Sequence, residues 1–363
     1  MSMRIGLPKE IKVAESRVGL TPQAVSCLVA AGHAVMVETQ AGAAIGYPDT
    51  AYVAAGAEIA QTAREVFGFA QLIIKVKEPQ ATEIAMLTAE HVLFTYLHLA
   101  ASWQLTVGLM QSGCTAIAYE TVRDRAGRLP LLAPMSQVAG RMAAQVAAES
   151  LMLPRGGSGK LMGGVPGVAP ARVTILGGGV VGTEAAKMAV GLGAEVTIVD
   201  ASLKRLAELD DQFAGRLKTQ AVIAAAVDAL VERSDVVIGA VLVPGAQAPK
   251  LVRREQLSRM QPGSVLVDVA IDQGGCFETS KPTTHTEPTF VVDKVLHYCV
   301  ANMPGAVART STEALVAATM PYVMALADDV RGALAADSGF AQGLSIQAGQ
   351  LTCAEVRASF GSS

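Results

Sequence analysis

One stretch constrains this chain more than any other: Arg172 to Asp200, RVTILGGGVVGTEAAKMAVGLGAEVTIVD. Val173 to Leu176 is a short apolar, β-branched run of the kind that forms a buried parallel strand. Gly177, Gly179 and Gly182 follow at G-x-G-x-x-G spacing. A helical pattern then carries Ala185, Ala186, Met188, Ala189 and Leu192, and Gly193 is placed to end it. Glu195 to Val199 reads as a second strand that delivers Asp200. Strand, glycine turn, helix, strand and terminal acid together describe a dinucleotide-binding unit. The glycines let backbone approach a pyrophosphate, and the helix N-terminus attracts its charge. Asp200 can accept hydrogen bonds from ribose hydroxyls, which favours NAD over NADP because a 2′-phosphate would be repelled. Lys204 and Arg205 lie just beyond and weaken that exclusion. The competing reading of the glycines alone is a turn in an unrelated α/β protein; the flanking strands and the acid count against it.

The same alternation runs through the rest of the chain. Met3–Leu7, Val35–Glu38, Leu72–Val76, His91–Tyr96 and Thr115–Tyr119 read as strands, and Asp49–Gly56 and Trp103–Ser112 as helices. Thr21 caps a further helix that has Pro22 at its first position. Pro8 to Arg17 reads as a charged loop. Ser234–Leu242, Ser264–Val269 and Val295–Val300 are further strands, and Arg155 to Pro170 is a glycine- and proline-rich loop. A long helix is expected from about Met135 to Leu153 and a second over Ser311–Ala335. Ser338 to Ser363 reads as a short amphipathic tail. The expected fold class is α/β: two Rossmann-like doubly wound parallel-sheet domains joined by long helices. Residues 1–130 plus 306–363 would form a discontinuous substrate domain, and residues 131–305 the NAD-binding domain.

Composition narrows the function classes. A net charge of −3 without a basic cluster argues against nucleic-acid binding. No apolar run is long enough to span a bilayer, and MSMRIGLPKE is a strand followed by charge rather than a signal peptide. Cys27, Cys114, Cys276, Cys299 and Cys353 are scattered, with no C-x-x-C, and read as incidental thiols of a reducing compartment. A soluble, cytoplasmic protein without a metal site is expected.

In doubly wound sheets ligands collect beyond the carboxyl ends of strands. Lys77, in KVKEP, stands at such an end, where an ammonium could hold and polarise a carboxylate or carbonyl; otherwise it is a solvated surface lysine. Arg17 could clamp a carboxylate through two parallel hydrogen bonds, or be an ordinary loop arginine. His98, in YLHLA, could exchange a proton with substrate or be a satisfied core histidine. Asp272, ending VLVDVAID, could bind nicotinamide ribose, transfer a proton or cap a helix. Asp268, His33, His91, His285 and His297 read as structural.

Several long segments then agree in order with one family. They include IGLPKEIKVAESRVGLTP, KVKEP, YLHLA, AYETV, LPLLAPMSQVAGRMAAQ, GGVPGVAPARVTILGGGVVG, DVVIGAVLVPGAQAPKLV, VDVAIDQGGC and NMPGAVARTST. On these the chain resembles the bacterial alanine dehydrogenases over nearly its full length. The resemblance implies NAD-dependent oxidative deamination of L-alanine to pyruvate and ammonia, reversibly, through hydride transfer and an imine. It also implies a homohexamer. By position, Arg17 and Lys77 match the family's substrate-binding pair, and His98 and Asp272 its catalytic pair. Ser136, Val180, Val181, Asp200, Arg205, Val241, Leu242, Val269, Ala270, Ile271, Val300, Ala301, Asn302 and Met303 match its cofactor contacts, beside Gly177, Gly179 and Gly182. Val222 stands where the family often has Ser, so NAD contact there is expected to be weaker or rearranged. Two alternatives remain: the soluble NAD-binding subunit of a transhydrogenase, which needs membrane partners, and a non-catalytic dinucleotide-binding protein. The joint presence of Arg17, Lys77, His98 and Asp272 favours the dehydrogenase.

Overall fold

The computed structural model describes residues 2–241 and 248–360. By density of contacts the chain divides into two units, residues 1–135 with 307–363, and residues 136–306.

The first unit is built on a sheet whose parallel strands are β1 (Arg4–Leu7), β2 (Ala34–Glu38), β3 (Glu58–Ala60), β4 (Leu72–Ile74), β5 (Val92–Thr95) and β6 (Thr115–Ala118). Their spatial order is β6-β5-β4-β1-β2-β3. Near-continuous apolar runs form these strands because helices cover both faces. Leu72 and Ile74 point into one core with Phe94, Ile117, Leu315 and Val323, while Ile73 points into the other with Leu93, Ala116 and Leu109. The helix Ala308–Asp328 supplies Leu315 and Val323 to the first core. The helical run predicted over Ser311–Ala335 breaks at Asp329, whose carboxylate accepts from Arg331 N at 3.0 Å and starts a new helix, Val330–Ala336.

The tail departs from its predicted form. Leu344–Gln347 and Gln350–Leu351 make a hairpin that pairs antiparallel with β6, so this sheet is mixed. Its two turn residues, Ala348 and Gly349, both have positive φ (49° and 76°), the geometry two-residue hairpins need. Ala-Gly announces that turn weakly beside Asn-Gly, which is why the sequence pattern concealed it.

The second unit carries β7 (Arg172–Leu176), β8 (Glu195–Asp200), β9 (Lys218–Ala221), β10 (Val236–Gly239), β11 (Val265–Asp268), β12 (Thr289–Val292) and β13 (Val295–Tyr298). Their order is β12-β13-β11-β10-β7-β8-β9, parallel except for β12 at the edge. The long helix predicted from Met135 spans Ala133–Ser150. Both units thus wind outward from a central strand, β1 or β7, and resume on its other side with β4 or β10. That reversal is the switch point where ligands bind in open α/β sheets.

One buried ion cluster follows from this topology. Lys75, just past β4 and 1% exposed, lies 3.0 Å from Glu10 Oε2 and 2.7 Å from Glu83 Oε1. Burial works against the Lys75 cation, yet the two carboxylates outweigh it and raise its pKa. Lys75→Met is expected to strand two buried carboxylates and cost about 3–5 kcal/mol. Thermal unfolding checks this; an unchanged melting temperature would show the cluster to be dispensable.

Candidate active site

In the first unit the switch point brings the loop after β1 against the segment after β4. The loop Pro8–Arg17, predicted as a charged loop, buries three of its charges: Glu10, Glu15 and Arg17 are 7%, 8% and 2% exposed. Charged side chains tolerate such burial only when paired and hydrogen-bonded. Glu10 Oε1 accepts from the backbone N–H of Val76 at 2.6 Å and of Lys77 at 3.2 Å, while Oε2 accepts from Lys75 Nζ. Burial raises the Glu10 carboxyl pKa against these donors.

Lys77 is thereby fixed at its backbone, and its carbonyl accepts from Thr95 Oγ1 at 3.0 Å. Its side chain is half-buried. Burial first, then the positive charges of Arg17 and Lys12, lower its pKa from the ordinary lysine value. This is not a solvated surface lysine. Nor is Arg17 an ordinary loop arginine: Nε and Nη2 donate to the two oxygens of Glu15 at 2.7 and 2.5 Å, and Nη1 lies 3.1 Å from Met135 Sδ. Burial alone would raise Glu15, but the hydrogen bonds and charge of Arg17, with Lys77 behind them, hold its carboxyl below the usual range.

His98 follows β5 in a left-handed conformation, φ 49°. Its N–H donates to Glu120 Oε1 at 2.6 Å, and Leu97 N–H donates to both Glu120 oxygens at 3.2 Å. Its ring lies parallel to Tyr96, centroids 5.8 Å apart, with Nδ1 3.9 Å from Glu120 Oε1. The side chain is 46% exposed, so the alternative of a satisfied core histidine is removed. His33, His91 and His297 are the buried, hydrogen-bonded histidines, as expected.

In the second unit the glycine turn joins β7 to the helix Val180–Gly191. Gly177 has φ +105°, and a β-carbon there would sit 2.7 Å from Ala240 O; one on Gly182 would overlap the carbonyl oxygen of Gly177. A β-carbon on Gly179 would meet nothing within 4 Å, and no side chain caps the helix at that residue. The turn is closed beneath and open at the uncapped N-terminus, which is the cradle an approaching phosphate requires. Asp200 Oδ2 accepts from Gly178 N at 2.7 Å and Oδ1 from Ser202 N at 2.8 Å. Each carboxylate oxygen can accept more than one donor, which leaves capacity for a ribose diol. Arg205 is tied to the turn: Nε donates to Gly178 O at 2.7 Å, Nη2 to Thr183 Oγ1 at 2.8 Å and Nη1 to Glu208 Oε2 at 2.8 Å. Val180 is exposed, Val181 and Ser136 half-buried, and Val222 is 54% exposed.

Of the other candidates, Val241 and Val269 are half-buried beyond β10 and β11, and Ala270 and Ile271 are buried. Asp272 stands exposed on the one-turn helix Ile271–Gln273, without the capping role considered for it. After β13, Val300 and Met303 are buried, Ala301 is exposed and Asn302 has φ 55°. Leu242 lies outside the described residues. Sequence reasoning missed Lys75, Glu10, Glu15, Glu120 and Lys250. The signal for Lys75 was present in LIIKVKEP, where it continues the apolar run one residue past β4.

A switch-point glycine turn with an acid on the next strand in one doubly wound unit, and a switch point carrying Arg17 and Lys77 in the other, define a dinucleotide-binding α/β protein of two such units. Residues 6–139 match the model described as "Alanine dehydrogenase/PNT, N-terminal domain" and residues 143–354 the one described as "Alanine dehydrogenase/PNT, C-terminal domain". The chain is 60% identical to an alanine dehydrogenase of Halomonas elongata, over 99% of this chain and 97% of that protein. Its structure resembles that of an L-alanine dehydrogenase with a TM-score of 0.96 at 51% identity, covering 99% of each chain. It also resembles a transhydrogenase from Sinorhizobium meliloti, with a TM-score of 0.83 at 26% identity, covering 96% of this chain and all of that one. The chain belongs to the alanine dehydrogenase/PNT family.

If the Arg205 tether holds the glycine turn in its nucleotide-ready shape, Arg205→Met raises the Kd for NADH about tenfold through lost charge-assisted hydrogen bonds. Fluorescence titration with NADH reads this, and an unchanged Kd would detach Arg205 from the turn's function.

Proposed function

We propose that this protein catalyses the NAD-dependent, reversible oxidative deamination of L-alanine to pyruvate and ammonia. The observation that carries the reading is the pair of shielded cations, Arg17 and Lys77, at a switch point of a chain 60% identical to an alanine dehydrogenase. The dinucleotide is held by the turn Gly177–Gly182, Asp200 and the strand ends at Val241, Val269–Ile271 and Val300–Met303, with Ser136, Val180, Val181 and Arg205. Bound NAD supplies the hydride acceptor for the α-carbon.

The remaining roles belong to side chains. Arg17 and Lys77 hold the substrate carboxylate. Glu15 orients the Arg17 guanidinium through two charge-assisted hydrogen bonds. The net charge of Arg17, Lys77 and Glu15 is +1, which one substrate carboxylate neutralises. His98, exposed and fixed at its backbone, takes a proton from water as it adds to the imine and returns one as ammonia leaves. Asp272 shares in this proton transfer. In the same reading the enzyme works in the cytoplasm as a homohexamer. Exposed apolar side chains at Leu153 and on the glycine-rich segment that follows, Leu161, Val165 and Val168, support an assembled state.

NADH formation followed at 340 nm with L-alanine and NAD tests the proposal; dinucleotide binding without alanine-dependent turnover would refute it. A pH profile tests the substrate cation. Lys77 must be protonated to bind pyruvate, and its folded pKa lies below that of an ordinary lysine. The kcat/KM for pyruvate should therefore fall on the alkaline side beginning below the usual lysine range of about 10.4. Lys77→Met should abolish that limb and raise KM for pyruvate; a variant with the wild-type KM would remove Lys77 from the site.

A further inference from the structure

The loop that carries Asp272 is held from both sides by residues with no role in the reaction above. On the inner side, Asp268 ends β11 and is fully buried. Its Oδ1 accepts from Ala270 N at 3.0 Å, before Asp272 in the chain. Its Oδ2 accepts from Cys276 N at 2.9 Å and from Ser280 Oγ, after it. One carboxylate thus ties together both ends of the segment Val269–Cys276. On the outer side, Lys250 Nζ donates to Gly274 O at 2.6 Å and Gly275 O at 2.7 Å.

The backbone is shaped to admit both contacts. Gly274 and Gly275 have φ of +86° and +74°, and a β-carbon on Gly275 would lie 2.6 Å from Asp268 Oδ2. Gln273, Gly274 and Gly275 donate back to Ala270 or Ile271, closing a tight turn with Asp272 at its exposed tip. The turn beneath Asp272 sets the place from which its side chain projects.

We propose that Asp268 and Lys250 are positioning residues that act on the reaction through Asp272. The proposal rests on the reading of Asp272 as a catalytic group. A buried carboxylate with two backbone amides from opposite ends of a turn, and an ammonium on two consecutive carbonyls, suppress the rocking of that turn. The position of a proton-transferring group within it is then set before substrate arrives. Displacement of such a group by about 1 Å costs on the order of 100-fold in rate.

A double-mutant cycle on the full-length enzyme tests this. Asp272→Asn, Lys250→Met and Asp268→Asn are made singly, and each of the last two is combined with Asp272→Asn. Lys250 is exposed, so its variant keeps the test open if Asp268→Asn does not fold. Lys250→Met is expected to lower kcat roughly 10-fold, and Asp268→Asn roughly 10- to 100-fold, with the Kd for NADH and the KM for alanine changed less than about twofold. Lys250→Arg, which can also reach two carbonyls, should restore most of the rate. In the Asp272→Asn background the same changes should alter kcat by less than about twofold, because the group they position is gone. Equal losses in both backgrounds would overturn the proposal while leaving Asp272 catalytic. Full turnover by Asp272→Asn alone would remove Asp272 from the reaction and the proposal with it.

Discussion

Buried or half-buried carboxylates that accept backbone N–H groups at the carboxyl ends of strands hold this structure's functional surfaces in place. Glu10 takes the amides of Val76 and Lys77, Glu120 those of Leu97 and His98, Asp200 that of Gly178, and Asp268 those of Ala270 and Cys276. Where a parallel ladder ends, the next amides lose their partners, and an unpaired buried N–H is costly. A carboxylate can satisfy two at once through charge-assisted bonds. The cost is a desolvated anion, met differently at each site. Lys75 balances Glu10, whereas Asp268 relies on neutral donors and has its pKa raised by burial.

The shared strand order of the two units gives this device its consequence. In each, the strand after the reversal returns beside the central strand, so the loops at their carboxyl ends lie together. The first unit uses that place to gather Arg17 and Lys77, with Glu15 and Glu10 holding one through its side chain and the other through its backbone. The second uses it for an uncapped helix N-terminus over closely packed glycines. One topology thus presents fixed positive charge in one unit and backbone donors in the other, which suits a carboxylate in the first and a pyrophosphate in the second.

Much of this could be read from the residues, and what could not has specific causes. The glycine turn, the strands around it and the strand-end location of Lys77, His98 and Asp272 follow from periodicity and glycine spacing, which are local signals. The sequence around Arg17 reads as a charged loop, yet Arg17 is buried. Its burial depends on Glu15 two residues away and Met135 far along the chain, and only the fold reveals that combination. Glu10 and Lys75 are invisible for the same reason: each is an ordinary charged residue until folding brings together positions 65 apart in the chain. The terminal hairpin was hidden by a turn, Ala348-Gly349, that lacks the usual Asn or Asp. The place of Asp268 inside a strand marks it as structural, and its buried hydrogen bonds agree; its bearing on Asp272 emerges only from the geometry of the turn.

Hydrogen exchange on the unliganded protein tests the role of these carboxylates most directly. The amides of Val76, Lys77, Leu97, His98, Gly178 and Cys276 should exchange roughly 10- to 100-fold more slowly than those of exposed turns, although all six lie beyond the ends of their strands. Exchange as fast as in those turns would mean that the carboxylates do not hold the strand ends, and that the site is not built before its ligands bind.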